Sequence, residues 1–330
     1  MNIETINDKQ EWDMFVDNSY NGMLFHKWDF LKTVEKHANT KLVTCGIYKG
    51  DTLVALFPFF IMKNGFLKFI FTSPPKAMMT YSGVVLSKDF GELKQNKKEG
   101  IMEGIVNSIN QILAEISPDF FYTILTPGIE DVREFKWNSY EISPSYTYVL
   151  DLTKPINGIW SEFKNTTRKK IKKIENNANI TIEKVERADI IYSLLKDRYA
   201  EQGLHSPVLS NRYLNELIRA YPENIEAYVA KDIDGEVLTG KLVIKYKDRY
   251  INWIGDMKTE DASLQDYIMW KFIEKAKSEG YTVFDFGGAN TKRLCAFKAK
   301  FNPRLELYFS ITRKNLLGRI SEWMYNLVYR

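Results

Sequence analysis

Few residues in this chain have the type and placement to do chemistry, and most lie in its second half. Lys298 stands ten residues beyond Gly288, after an apolar run that ends in Gly287-Gly288. A cation beside such a turn can face negative charge that develops on an oxygen. Asp285 interrupts the same apolar run, where a carboxylate is costly unless paired. It either binds an amine or holds Arg293 or the glycine turn. His205 lies in Gly203-Leu204-His205-Ser206-Pro207, a loop composition, and is either a proton relay near neutral pH or incidental. Residues 168–173 hold five basic side chains in six positions, Arg168, Lys169, Lys170, Lys172 and Lys173. That run is either a solvated helix face or a contact for phosphate groups. Cys45 and Cys295 are 250 positions apart, which is neither a disulfide framework nor zinc-ligand spacing, and no metal is expected.

The elements that must position these residues can be read from periodicity. Residues 250–254 form a strand, residues 263–278 a helix, and residues 282–286 a second strand. Leu264, Ile268, Phe272 and Ala276 recur at i+4, with Tyr267, Met269, Trp270 and Ile273 widening the stripe, so this helix must be largely buried. A strand–helix–strand unit that ends in a glycine turn is where open α/β sheets place ligands. The loop after the glycines carries Phe297 and Lys298; if it is extended, the two side chains point opposite ways.

Upstream, residues 42–48 and 52–62 read as strands about a Lys49-Gly50-Asp51 turn, and residues 226–233 and 237–246 as strands about Asp234-Gly235-Glu236. Gly50 and Gly235 are 185 positions apart in matching contexts, which suggests an internal duplication. The join falls near residues 143–145. Trp160, Phe163, Thr167, Ile171 and Ile174 make the apolar stripe of one helix, with the basic run on its other face. An alternating strand at 305–311 leads into a last helix with Leu316, Leu317, Ile320, Trp323, Met324, Leu327 and Val328. This apolar face is expected to pack on the first domain. The alternative is docking on a membrane surface, since Arg313, Lys314, Arg319 and Arg330 flank it.

The 330 residues suit two domains of ordinary size, and 45% hydrophobic with 27% charged residues suits packed cores in a water-soluble chain. A net charge of +4 favours anionic ligands without requiring nucleic acid. The polar N-terminus reads as no signal peptide, and the apolar run 53–62, interrupted by Pro58, is too short to span a bilayer. Cytoplasmic location without membrane insertion is the expectation; oligomeric state is not legible.

Five motifs in order resemble the Fem-type branch of the GNAT acyltransferase superfamily. They are the run from Thr167 to Lys173, an aromatic-rich helix near Tyr199, the Asp234-Gly235 hairpin, Phe284-Asp285-Phe286-Gly287-Gly288, and Phe297-Lys298-x-x-Phe301. The resemblance covers most of residues 8–312 and is strongest over 160–303. It implies an α/β, mixed-sheet fold of two tandem GNAT-like domains, at 1–145 and 146–304, with 305–330 packing back on the first. It implies an N-acyltransferase that moves an acyl or aminoacyl group from an activated donor to an amine, such as an envelope or polysaccharide precursor, in a cleft between the domains. Lys298, Asp285 and His205 become catalytic candidates. Arg168, Lys169, Lys173, Tyr199, Phe297, Gly287 and Gly288 become substrate-binding candidates, and Ala262, Ser263 and Leu264 donor-binding ones.

Two departures bear on the donor. The glycine-rich pyrophosphate loop usual before the central helix is replaced by residues 256–263, although a helix N-terminus at Ser263 would still offer N–H groups. The coiled-coil arm of some Fem aminoacyltransferases is absent. Acyl-CoA is the preferred co-substrate, aminoacyl-tRNA the alternative donor, and a non-catalytic tRNA- or nucleotide-binding module the alternative outside enzymes.

Overall fold

A computed structural model describes residues 1–177, 179–257 and 261–329. The chain divides into two compact units, Met1–Ser145 with Leu307–Arg330, and Tyr146–Glu306. The first unit's strands are β1 (Asn2–Thr5), β2 (Lys41–Lys49), β3 (Thr52–Asn64), β4 (Leu67–Phe71), β5 (Val85–Leu86) and β6 (Phe120–Ile124). Its helices are α1 (Lys9–Asn18), α2 (Trp28–Ala38), α3 (Gln95–Ile116) and α4 (Arg133–Trp137). In the second unit the strands are β7 (Glu141–Asp151), β8 (Thr181–Val185), β9 (Ile225–Lys231), β10 (Val237–Tyr246), β11 (Arg249–Met257) and β12 (Val283–Asp285). Its helices are α5 (Ile156–Glu162), α6 (Asn165–Asn177), α7 (Asp189–Glu201), α8 (Asn211–Ala220), α9 (Ala262–Ser278) and α10 (Lys292–Lys298). The chain then closes with β13 (Arg304–Lys314) and α11 (Leu316–Tyr329).

The duplication is visible in the pairing. In the first unit β1-β2-β3-β4 are successively antiparallel, β4 pairs β6 in parallel, and β13 closes the row antiparallel to β6. In the second, β8-β9-β10-β11 are antiparallel, β11 pairs β12 in parallel, and β7 closes it antiparallel to β12. Order and direction match strand for strand. The closing strands are exchanged in sequence: the strand that follows β6 along the chain pairs with β12, and the strand that follows β12 pairs with β6.

A parallel neighbour requires a crossover, and α9 is the one that joins β11 to β12. Its expected stripe is buried, Leu264 at 5%, Ile268 at 0%, Phe272 at 2% and Ala276 at 0% exposure. Asp261 caps its start, accepting from Ser263 N at 2.7 Å. Gly280, at φ +86°, ends it, where only glycine takes the left-handed turn without strain. The second core gathers around Trp270, whose ring centroid is 4.9 Å from Trp160 and 5.3 Å from Phe163, with Phe301 5.1 Å from Phe163. The first unit has its own core of Phe57, Phe59, Ile105, Ile109 and Phe121.

Several expectations need correction. The single helix expected through Trp160 and Ile174 is two, α5 and α6, because Phe163 is extended at φ −65°, ψ 149°. The segment carrying Phe297 and Lys298 is the helix α10, not a loop, so those two side chains do not simply alternate. The apolar face of α11 is not covered: Leu316, Leu317, Ile320, Trp323 and Met324 are all exposed. The side chains of Leu327 and Val328, and Arg330 altogether, lie outside the described residues.

Candidate active site

The parallel register of β11 and β12 runs from Arg249↔Val283 to Ile251↔Asp285 and stops there. β11 continues to Met257, whereas the other chain turns away at Gly287 and Gly288, with φ of +73° and +84°. A Cβ on Gly287 would come within 2.6 Å of the Asn252 carbonyl oxygen, so the turn hugs β11 and demands glycine. At the same level the β10–β11 register slips, Leu242 facing Ile254 but Val243 facing Asn252, which leaves Trp253 as the extra residue of a bulge. Bulges re-aim side chains beside functional sites.

A cavity of about 400 Å³ opens where the two strands diverge, and every lining residue belongs to the second unit. Asn252, Trp253 and Gly255 come from β11, Phe286 and Gly287 from the end of β12, and Gln265, Ile268 and Met269 from the first turns of α9. Four cations converge on it: Arg198 of α7, Lys241 of β10, and Arg293 and Lys298 of α10. Among the described residues no carboxylate lines it. The Asn252 side-chain oxygen is buried there without a hydrogen-bond partner.

Lys298 is only 5% exposed, not the surface residue of an exposed loop. Its Nζ donates to Gly287 O at 3.0 Å and Gly288 O at 2.7 Å. An ammonium has three N–H donors, so one remains beyond these two. Burial pulls its pKa down to about 8, while the nearby Asp285 carboxylate acts in the opposite sense.

Asp285 is fully buried, and its role differs from that of a substrate ligand. Oδ1 accepts from the Thr147 hydroxyl at 2.7 Å and Gly287 N at 2.8 Å, and Oδ2 from Arg249 at 2.8 Å. The Thr147 hydroxyl in turn accepts from Gly288 N at 3.0 Å. Both N–H groups and both carbonyls of the glycine turn are thereby held. Asp285 holds the glycine turn, one of the roles left open by the sequence, and pairs with Arg249, while Arg293 lines the cavity.

The remaining candidates divide. Phe297 and Gly287 line the cavity with Lys298. Tyr199 does not, although its neighbour Arg198 does. His205 is exposed beyond the end of α7 and does not line the cavity. Arg168, Lys169 and Lys173 lie on α6 and do not reach the cavity either. Lys169 and Lys173 are exposed, whereas Arg168 is half-buried. At the start of α9 the Ser263 N–H expected to await a phosphate is already bound by the Asp261 carboxylate, whose charge would repel an anion, and Leu264 is in the core. Of the expected donor loop, residues 258–260 lie outside the described residues. Sequence reasoning missed Arg198, Lys241, Asn252 and Gln265. Asn252 alone left a local trace, as a polar residue inside an apolar strand.

The first unit differs at the end of its parallel pair: its cavity of about 490 Å³, between the first turns of α3 and residues 128–133 after β6, is lined by Glu130 and Asp131 as well as Lys98 and Arg133. There β4 is followed by residues 72–94 before α3, against residues 258–261 between β11 and α9. Part of this longer segment packs against β6. The Thr72 hydroxyl contacts those of Ser82 at 2.8 Å and Thr123 at 3.0 Å, Ser82 N donates to Ile124 O at 3.2 Å, and Ala77, Met79 and Tyr81 are buried.

Residues 161–299 match the family model described as an acetyltransferase (GNAT) domain. That stretch lies within the second unit. The whole chain shares its fold with FemX at TM-score 0.69 and 13% identity, covering 100% of both chains. L-PGS from Bacillus licheniformis superposes at TM-score 0.55 and 14% identity, over 96% of this chain and 95% of that one. A tandem GNAT protein from the clavulanic acid biosynthesis pathway does so at TM-score 0.52 and 8% identity, over 95% and 98%. No curated protein matches in sequence. The fold is therefore the mixed α/β fold of the Fem-type, tandem GNAT proteins, with the match to a GNAT domain falling in the second unit.

Proposed function

We propose that this protein is an N-acyltransferase whose cavity in the second unit brings an activated acyl or aminoacyl donor to an amine. The observation that carries this reading is the convergence of four cations, with no carboxylate lining among the described residues, on the point where the parallel strands of a GNAT domain part. Such a site suits an anionic reactant and the oxyanion of acyl transfer. The amine nitrogen attacks the donor carbonyl, a C–N bond forms, and the C–S bond of a thioester or the C–O bond of an ester breaks. The proton shed by the amine leaves with the departing thiolate or alkoxide. Lys298 has one N–H beyond its two backbone bonds to stabilise the oxyanion, and a pKa of about 8 keeps it largely protonated at neutral pH.

Acyl-CoA is the donor this reading prefers. Aminoacyl-tRNA is the second reading, favoured by the start of α9, where Asp261 occupies the N–H of Ser263 that a pyrophosphate would seek. Among the fold's neighbours, one is named a putative lysylphosphatidylglycerol synthetase. Calorimetry with acetyl-CoA and with charged tRNA separates the two donors. Heat with acetyl-CoA supports the first reading, and salt-sensitive binding of charged tRNA alone supports the second. Binding of neither, with no acylated amine formed from either, refutes the proposal.

A further inference from the structure

The last helix is built inside out. Leu316, Leu317, Ile320, Trp323 and Met324 recur at i, i+1, i+4, i+7 and i+8, a single face of α11, and they are 73%, 42%, 45%, 63% and 49% exposed. Among the described residues, the face turned to the protein is small or polar, with Gly318 buried and Ser321 and Glu322 half-buried. Gly318 is buried so closely that a Cβ would collide with Asp119 O, and Glu322 bonds Lys314 at 2.7 Å. The helix start is fixed by Asn315, which donates to Asp119 through N at 3.1 Å and Nδ2 at 2.9 Å. Asp119 also bonds the start of β4, next to the turn of the β3–β4 hairpin, accepting from Lys68 N at 2.9 Å. Two residues before Lys68, at the hairpin tip beside Gly65, stands Phe66 at 81% exposure. One acidic residue thus anchors two elements that both present large apolar side chains to solvent.

Basic residues border this patch. Lys63 and Lys68 flank Phe66, and Arg313, Lys314 and Arg319 flank the stripe. Lys314 is balanced by Glu141 and Glu322, at 2.9 and 2.7 Å, Arg319 lies 3.8 Å from Glu141, and Lys68 Nζ donates to Ile116 O, so the border's positive charge rests mainly on the exposed Lys63, Arg313 and Arg319. Among the described residues the patch holds six large apolar side chains, against ~20 to 30 residues a side in standard protein interfaces, which favours a lipid surface over a second copy. Apolar side chains that include Trp and Phe, ringed by Lys and Arg on a short helix, fit the boundary between lipid headgroups and acyl chains. No helix among the described residues is long and apolar enough to cross a membrane.

We propose that α11 and the Phe66 hairpin tip form a docking surface for an anionic phospholipid bilayer, the helix lying along it and Phe66 inserting beside it. The test is co-sedimentation of the full chain with vesicles of equimolar phosphatidylglycerol and phosphatidylcholine. The wild-type protein is expected to partition onto them, and about tenfold less onto phosphatidylcholine alone, because the basic border then has no anionic partner. The double variant Leu317→Ser, Trp323→Ser is expected to lose about tenfold or more of the partitioning. Phe66→Ser, at a hairpin tip remote in sequence, gives an independent reading in the same direction. Wild-type protein that stays in the supernatant overturns the proposal, and so do variants that bind as the wild type does. So does a concentration-dependent dimer in sedimentation velocity that Trp323→Ser dissolves, because the occupant would then be a second copy.

Discussion

Replacing Lys298 by Met keeps the length of the stem and removes the charge. In the fold the ammonium is held by the Gly287 and Gly288 carbonyls, and burial lowers its pKa from 10.5 to about 8. That fall corresponds to ~3 kcal/mol by which the fold disfavours the charged form relative to water. Met relieves this cost but leaves two carbonyls without their donor, a loss of about 1–3 kcal/mol. The two effects oppose, so at neutral pH stability should change by no more than ~2 kcal/mol in either direction. The pH dependence is the sharper reading. Between pH 8 and 10.5 the unfolded chain binds the proton that the folded chain has released, so wild-type stability should rise through that window by up to ~3 kcal/mol. The Met variant should lack this rise in denaturant titrations across the same range. For turnover, loss of a donor to the oxyanion predicts a fall of about a hundredfold or more at neutral pH with KM for the donor nearly kept. Wild-type kcat should decline above pH 8 as the ammonium deprotonates, and the variant should lose that decline. Turnover within about threefold of wild type, with the alkaline decline intact, would refute the catalytic role and leave Lys298 as a clamp on the glycine turn. A change in KM without one in kcat would make it a binding residue instead.

Gly287→Ala places a methyl against the Asn252 carbonyl at a φ of +73°, so it should lower stability by roughly 2 kcal/mol or more and abolish turnover, as read by thermal melts beside an acylation assay. Asp285→Asn removes the charge that meets Arg249 and should cost about 3 kcal/mol in urea unfolding; an unchanged midpoint would mean that Glu306, 2.9 Å from Arg249, is partner enough. Reversing Lys169 and Lys173 to Glu should leave the fold intact and small-donor affinity within about twofold, because neither lines the cavity. The same reversal should weaken tRNA binding and reduce its salt slope if α6 meets a phosphate backbone, which filter binding across a salt series reads directly.

Local pattern determined the unit that carries the cavity. The i+4 stripe of Leu264, Ile268, Phe272 and Ala276 could only be a buried helix, and the short apolar run ending in Gly287-Gly288 could only be a core strand with a turn that needs positive φ. The two hairpins at Gly50 and Gly235 were legible for the same reason, since turn chemistry and alternation act over a few residues. The fold class then followed from the order of elements. Periodicity is silent about partners far away in sequence, and there only the tertiary structure decided. It brought Arg198 and Lys241 to Lys298 from elements dozens of residues away, paired Asp285 with Arg249 rather than Arg293, and exchanged β7 and β13 between the two rows of strands. It also packed part of residues 72–94, which no local signal distinguishes from an ordinary loop, against β6 in the first unit. The stripe of α11 reads identically whether it faces a core or solvent, because amphipathicity specifies that two faces differ and not what each one meets. Burial of Lys298 was hidden for a related reason. Whether a lysine is surface or interior depends on whether backbone carbonyls converge on its Nζ, and those carbonyls are placed by a glycine turn whose shape is completed by β11 and Thr147.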